Sequence, residues 1–388
     1  MAGSLAWTMG AHVSMLSRQL SMGRLRTCSR SWPPVPAGIA SGVFHLQFRL
    51  ESSEQVDSHT LPTEIWRDRR VLITGGAGFI GSTLAIRLAS LGSRVTVIDS
   101  LIPEYGGNLF NLEECQEKIR INYSDIRDPY SLRPLIKDVD VLFSLAGQTS
   151  HMDSMADPYT DANINCTAQL NLLETCRSVN PEIRIVFAST RQIYGRPRYL
   201  PVDEHHPIAP VDINGIHKYA AEQYYSLYSQ VYGIQACILR LTNTIGPRMR
   251  IKDARQTFVG VWIRQLMEGA PIDVWGGDQL RDFNDVEDVV DAMLIAALSA
   301  SVQAKVFNLG STRRVSLREL AEMMIALHGS GELEIREFPG DRRRIDIGDY
   351  YSSHNQFSSL TGWSPRITLE ETLERTISFY QRHYLHYL

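Results

Sequence analysis

Val71-Leu72-Ile73-Thr74-Gly75-Gly76-Ala77-Gly78-Phe79-Ile80-Gly81-Ser82-Thr83-Leu84-Ala85-Ile86-Arg87-Leu88 decides the fold of this chain. Its first four residues form a short apolar, β-branched run of the kind found in strands buried on both faces. Leu84, Leu88 and Leu91 then recur at helical spacing. Between strand and helix stand Gly75, Gly78 and Gly81. The first permits a tight turn, the second lets backbone approach a pyrophosphate, and the third lets helix and strand pack closely. The helix opening at Phe79 and Ile80 offers unpaired N–H groups and a partial positive charge to phosphates. A second buried strand, Arg94 to Ile98, ends on an acid, Asp99, 18 residues beyond Gly81. Such an acid accepts hydrogen bonds from adenosine ribose hydroxyls and repels a 2′-phosphate. The expected cofactor is therefore NAD rather than NADP.

Outward from this unit, further strands read at Lys118 to Tyr123, Val139 to Leu145, Ile183 to Ala188 and Gln235 to Arg240, mostly separated by helical stretches. Alternation of this kind predicts an α/β fold, a doubly wound Rossmann parallel sheet covered on both faces. Length and composition agree: 388 residues, 44% hydrophobic and 21% charged, exclude collagen-like, disordered and repeat-dominated chains. A net charge of −4 supplies no broad basic surface for nucleic acid. No run reaches the roughly 18 apolar residues that a bilayer span requires. The five cysteines form no CxxC pair, so no disulfide framework or zinc site is expected, and a reducing, cytoplasmic setting is the default. The first fifty residues differ from the rest. They hold no Asp or Glu, five Arg and seven Ser, the composition either of an organelle transit peptide or of an extension upstream of a later start such as Met15 or Met22. The expected organisation is a leader over residues 1–65, an NAD-binding domain over 66–246 and a smaller substrate-binding lobe over 247–388, partly interleaved with it.

Thr74-Gly-Gly-Ala-Gly-Phe-Ile-Gly81, Asp125-Ile126 after a strand, Leu145-Ala146-Gly147 and Ser189-Thr190-x-x-Ile193-Tyr194-Gly195 together resemble an extended short-chain dehydrogenase/reductase. Within that superfamily the chain is similar, over about residues 69 to 385, to NAD-dependent nucleotide-sugar epimerases and dehydratases. The resemblance implies that Asp125 and Ile126 lie at the adenine edge, and that Leu145, Ala146 and Gly147 run along the nicotinamide side. Ser154, Pro158 and Asn165 match the stretch that follows.

The same resemblance implies a Thr, Tyr and Lys triad, in which a tyrosinate removes a sugar hydroxyl proton while NAD takes a hydride. Thr190 and Lys218 fall into place, but the tyrosine position is Asn214. An amide has no proton to exchange, so Asn214 can position a hydroxyl without serving as its base. Substitute bases to consider are His151, His217 and Tyr194. His217 adjoins Lys218 on a helix and is expected on the surface, which leaves His151 as the better candidate. Arg191 and Gln192 stand where dehydratases carry an Asp-Glu pair. Neither can protonate a leaving hydroxyl, which disfavours dehydration.

In the second lobe the resemblance implies substrate contacts from Asn243, from Arg281 in an R-D-F motif, and from the run Arg342-Arg343-Arg344, with Arg191 added from the first domain. Bidentate guanidinium groups suit a diphosphate. Arg248, Arg250, Lys252, Arg255, Phe258 and Trp262 read as a further anion-binding cluster. Tyr225, Tyr228 and Tyr232 share one helix face and read as core or, by resemblance, as part of a homodimer interface. The function expected is epimerisation of a nucleotide-diphosphate sugar by transient hydride transfer. The alternative is a protein that binds NAD and nucleotide sugar without turnover.

Overall fold

The computed structural model describes residues 63–105, 107–338 and 346–388. Seven strands form one sheet: β1 (Arg70–Thr74), β2 (Arg94–Ile98), β3 (Arg120–Asn122), β4 (Val141–Ser144), β5 (Arg184–Thr190), β6 (Gln235–Leu241) and β10 (Lys305–Leu309). Their order is β3-β2-β1-β4-β5-β6-β10, and every neighbouring pair is parallel. The direction of winding reverses between β1 and β4, and in sheets of this kind ligands bind outside the carboxyl ends of the strands at that point.

Both faces of the sheet are covered, which is why its central strands are mostly apolar. Val71, Ile73, Val95, Val97 and Phe143 pack toward α1 (Phe79–Ser90) and α8 (Val286–Leu298). Leu72, Leu142, Ile185 and Phe187 pack toward α2 (Pro129–Ile136), α5 (Ala168–Val179) and α6 (Ile213–Tyr232). Each such side chain contributes about 1.5–3 kcal/mol on burial. Helix α6 starts at Asp212, whose side chain caps the Gly215 N–H, and stops at Gly233, held at φ 74°.

The remaining elements form a smaller layer. β7 (Asn243–Ile245), β9 (Leu280–Asp285) and β11 (Arg314–Ser316) make a three-stranded sheet, and β8 (Ile272–Trp275) pairs with β12 (Leu333–Arg336). Helices α7 (Phe258–Glu268), α9 (Leu317–His328) and the closing helix Leu369–His383 share their core. Phe79, from the glycine turn, packs into that same core.

Three features add to the sequence reading. Regular structure starts within the last residues of the expected leader, with a turn over Thr63–Trp66 whose Trp66 is fully buried against Phe143. Strand β10 joins the large sheet and helix α8 packs on it, although both follow residue 247. The tyrosine face of α6 is not an open surface: Tyr225 stacks on Phe187 at 4.3 Å and donates to Gln169, while Tyr228 donates to Glu174. Only Tyr232 is exposed, and the outward apolar residues of α6 are Ile216, Leu227 and Val231.

Candidate active site

A cavity of about 730 Å³ opens at the switch point between β1 and β4 and runs on to Trp275 and Phe338 in the smaller lobe. Gly75, Gly78, Phe79, Ile80, Gly81, Asp99, Asp125, Ile126, Leu145, Ala146 and Gly147 all line it. The turn demands glycine for steric reasons. Gly75 sits at φ +70°, and a Cβ there would stand 2.8 Å from the Ala146 backbone; a Cβ on Gly81 would meet the Gly75 carbonyl at 2.3 Å. Asp99 is fixed by two backbone donors, Ala77 N at 3.0 Å and Leu101 N at 2.9 Å, one on each oxygen. Burial raises its pKa despite those donors, and each oxygen keeps a lone pair for a ribose hydroxyl. Asp125 is clamped by Arg127 at 2.5 Å at the other rim.

Toward the nicotinamide side, β5 delivers Thr190 and α6 delivers Lys218. Thr190 Oγ1 accepts the Gln192 N–H at 3.2 Å, which leaves its own proton to donate. Lys218 Nζ donates to the Ala188 carbonyl at 2.6 Å and lies 4.4 Å from the Phe187 ring centre. Burial pushes its pKa down to about 8. Asn165 lies in a π-helical turn, Asn163–Thr167, and its buried Oδ1 has no partner. Such turns are frequent at functional sites. The glycine cradle and the anchored acid fit the dinucleotide that the motif predicts, whereas Asn165 is fully buried and is not among the residues lining the cavity.

Asn214 is almost fully buried. Its amide group donates to the Gln148 carbonyl at 2.8 Å and to Asp161 Oδ2 at 3.0 Å, so both N–H groups are engaged. Asp161 also accepts from Asn165 at 3.0 Å and from His217 Nδ1 at 2.7 Å. Here the expectation for His217 is corrected. It is a half-buried partner of Asp161 rather than a surface residue, and it does not line the cavity. Tyr194 is corrected as well: it is fully buried, donates to Asn308, accepts from Arg240, and burial pushes its pKa up to about 12.

His151 lines the cavity. It opens helix α3 (His151–Ala156), and Asp212 opens α6, so two helix starts meet where the His151 Nδ1 pairs with Asp212 Oδ2. The other Asp212 oxygen accepts from Gly215 N at 2.7 Å. Burial works to raise the Asp212 pKa, but His151 and the amide outweigh it and the carboxylate is held below its ordinary value. The His151 Nε2 meets the Gln192 amide at 2.5 Å, and the Gln192 Oε1 is buried without a partner. Sequence reading singled out His151 but gave Asp212 and Gln192 no part in acid-base chemistry. The N-cap pattern of Asp212 before Gly215 was its one local signal.

On the substrate side, Arg191 donates to Asn243 at 3.1 Å, and both line the cavity. Arg281 is buried; its Nη1 donates to the carbonyls of Leu280 and Gly348, and its Nη2 lies 3.7 Å from Asp346. Burial and the charge of Arg191 lower its pKa to about 10. Arg343 and Arg344 lie outside the described residues. The Arg248–Arg255 cluster is not a free anion site: Arg248 pairs with Glu114 and Glu287, Arg250 with Asp253, and Arg255 with Asp153 and Asp253. Phe258 and Trp262 line the cavity instead.

Comparison with known proteins agrees with this geometry. The chain is 32% identical over 330 residues to UDP-glucuronic acid decarboxylase 1 of Xenopus tropicalis, covering 82% of this chain and 73% of the relative. It is 30% identical over 317 residues to UDP-glucose 4-epimerase of Mycolicibacterium smegmatis, covering 80% and 98%. The structure of Thermus thermophilus UDP-glucose 4-epimerase in complex with NAD superposes with a TM-score of 0.73 at 28% identity, covering 81% of this chain and 99% of that one. NAD is the cofactor that the glycine turn and Asp99 serve. A family model, "NAD dependent epimerase/dehydratase family", matches residues 71–310, and the chain belongs to that family.

Proposed function

We propose that the protein is an NAD-dependent epimerase of a nucleotide-diphosphate sugar, with His151 in place of the missing tyrosine base. The observation that carries this reading is the Asp212–His151–Gln192 chain in the cavity wall. Bound NAD supplies a reversible hydride acceptor for a ring carbon of the sugar. Asp212 accepts the Nδ1 proton and so leaves the His151 Nε2 lone pair facing the cavity. A sugar hydroxyl displaces the Gln192 amide from Nε2, hands its one proton to the imidazole, and is oriented by accepting from the Thr190 hydroxyl and the Gln192 NH₂. Lys218 has donors left for the nicotinamide ribose, and Arg281 binds the diphosphate. Epimerisation would be completed when the ketosugar turns over in the cavity, regains the hydride on its other face, and His151 returns the proton. Gln192 and Arg191 supply no acid for loss of water, which speaks against dehydration. The names of the relatives support a uridine nucleotide. The exposed Ile216, Leu227 and Val231 of α6 support a homodimer, which sedimentation of the purified protein tests.

The buried Asn214 favours one other reading, a protein that binds NAD and nucleotide sugar without chemistry. Incubation with UDP-, dTDP-, GDP- and CDP-sugars, with products identified by NMR, separates the two. Epimer formation supports the enzyme; no turnover of any sugar refutes it.

A further inference from the structure

Arg191 brings a positive charge to the cavity wall without a carboxylate of its own. Its Nη2 donates to Asn243 Oδ1, and its guanidinium lies 5.0 Å from the Tyr350 ring centre. Among the described residues no carboxylate stands within ion-pair distance of it. The other arginines lining the cavity are better matched: Arg127 has Asp125 at 2.5 Å, Arg255 has Asp153 at 2.6 Å and Asp253 at 2.8 Å, and Arg281 has two carbonyls and Asp346. The nearest acids are already engaged. Asp282 accepts from Thr242, Ser311 and Ser352, and Asp212 accepts from His151 and Gly215. Burial lowers the Arg191 pKa, with Tyr350 and the more distant Asp282, Asp212 and Asp346 only partly opposing it. A guanidinium presents five N–H donors in a fixed fork, and one donor of Arg191 is in use.

The place of Arg191 narrows the anion that would complete it. Its chain neighbours are Thr190, which accepts the Gln192 N–H, and Gln192, which meets the His151 Nε2, so its backbone belongs to the reacting end of the cavity. The diphosphate is already assigned to Arg281 in the reading above. We propose that the sugar itself bears a carboxylate, as in a uronic acid, and that Arg191 holds it through a bidentate pair. This rests on the nucleotide-sugar reading above and deepens it. The two oxygens of a carboxylate match the edge of the fork, whereas a neutral sugar offers hydroxyls and leaves the charge unmatched.

Titration calorimetry of the NAD-loaded full chain with UDP-glucuronic acid, UDP-glucose and UDP tests the proposal. The protein is expected to bind UDP-glucuronic acid at least about tenfold more tightly than UDP-glucose, the scale of one charge-assisted pair. Arg191→Gln should remove that preference while leaving UDP affinity within about twofold, and Arg191→Lys should keep part of it, as a point charge without the fork. Equal affinity of the unaltered protein for the two sugars overturns the proposal, and this comparison needs no variant. If Arg191→Gln weakens UDP and both sugars by one factor, Arg191 serves the diphosphate and the proposal fails. Failure to bind any of the three ligands refutes the nucleotide-sugar reading itself, and this inference with it.

Discussion

Asp212→Asn isolates the pairing on which the proposed base depends. The carboxylate does two jobs, one oxygen on Gly215 N at 2.7 Å and the other on the His151 Nδ1. Asparagine is as good an N-cap as aspartate, so its amide oxygen keeps the first contact. Its NH₂ group must then face His151, and an N–H cannot accept the Nδ1 proton. The imidazole is driven to carry its proton on Nε2 instead, and the lone pair that would accept the sugar proton is lost. A general base contributes typically 10²–10⁴-fold, so kcat is expected to fall by about that factor, equivalent to about 2.7–5.4 kcal/mol on the barrier. Stability should change far less, by about 1 kcal/mol, because the cap survives and a buried charge is removed together with its charge-assisted bond. Asp212→Ala is the contrast, since it loses the cap as well and should lower the melting temperature. The assay is epimer formation by the NAD-loaded protein on the best sugar of the panel, with thermal melting in parallel. If Asp212→Asn keeps kcat within about threefold, or loses activity only in step with stability, the tautomer argument fails.

Asn214→Tyr should leave turnover unchanged or lower it, because the phenol competes with His151 for one hydroxyl and strips two donors from Gln148 and Asp161; a large gain in epimer formation would contradict this. Lys218→Met should weaken NAD binding by about tenfold by calorimetry, the scale of one or two lost hydrogen bonds. The same variant has a pH signature. Burial holds the folded pKa of Lys218 near about 8 against an ordinary 10.5, so the unfolded chain binds that proton more tightly. The stability of the cofactor-free protein should therefore gain from this group as pH rises from about 8 to 10.5 and draw nothing further from it below 8, and melting curves of Lys218→Met should lack that rise. Trp66→Ala should cost about 3–5 kcal/mol in urea unfolding, since the indole is fully buried on the main core; a loss under 1 kcal/mol would show that the Thr63–Trp66 turn adds little.

What could be read from the sequence was what neighbouring residues determine. The glycine turn, both its strands and Asp99 lie within thirty residues, and their periodicity and turn chemistry needed no tertiary information. Lys218 and Thr190 were placed by the family resemblance of the motifs around them. The pairing of His151 with Asp212 spans 61 positions and that of His217 with Asp161 spans 56, so neither leaves a local trace. His217 shows the failure clearly. One position from Lys218 on a helix it turns about 100° away, but what lies there is a buried carboxylate rather than water. Tyr225 and Tyr228 were ambiguous for a related reason, because an apolar stripe with polar tips suits a core whose tips are hydrogen-bonded as well as an interface.

The late arrival of β10 has a consequence for how the molecule is made. Strand β6 is complete at Leu241, but its partner begins at Lys305, and β7, α7, β8, β9 and α8 all lie between them. At about 5–20 residues per second, a ribosome takes several seconds to cover that interval. Throughout it the nascent sheet presents Cys237, Ile238 and Leu239 along an unpaired edge, the kind of template that recruits other chains. A fragment ending near Ile245 would keep that edge permanently, so the NAD-binding half is not expected to survive as a separate product, and chaperone capture during synthesis should concentrate in this window.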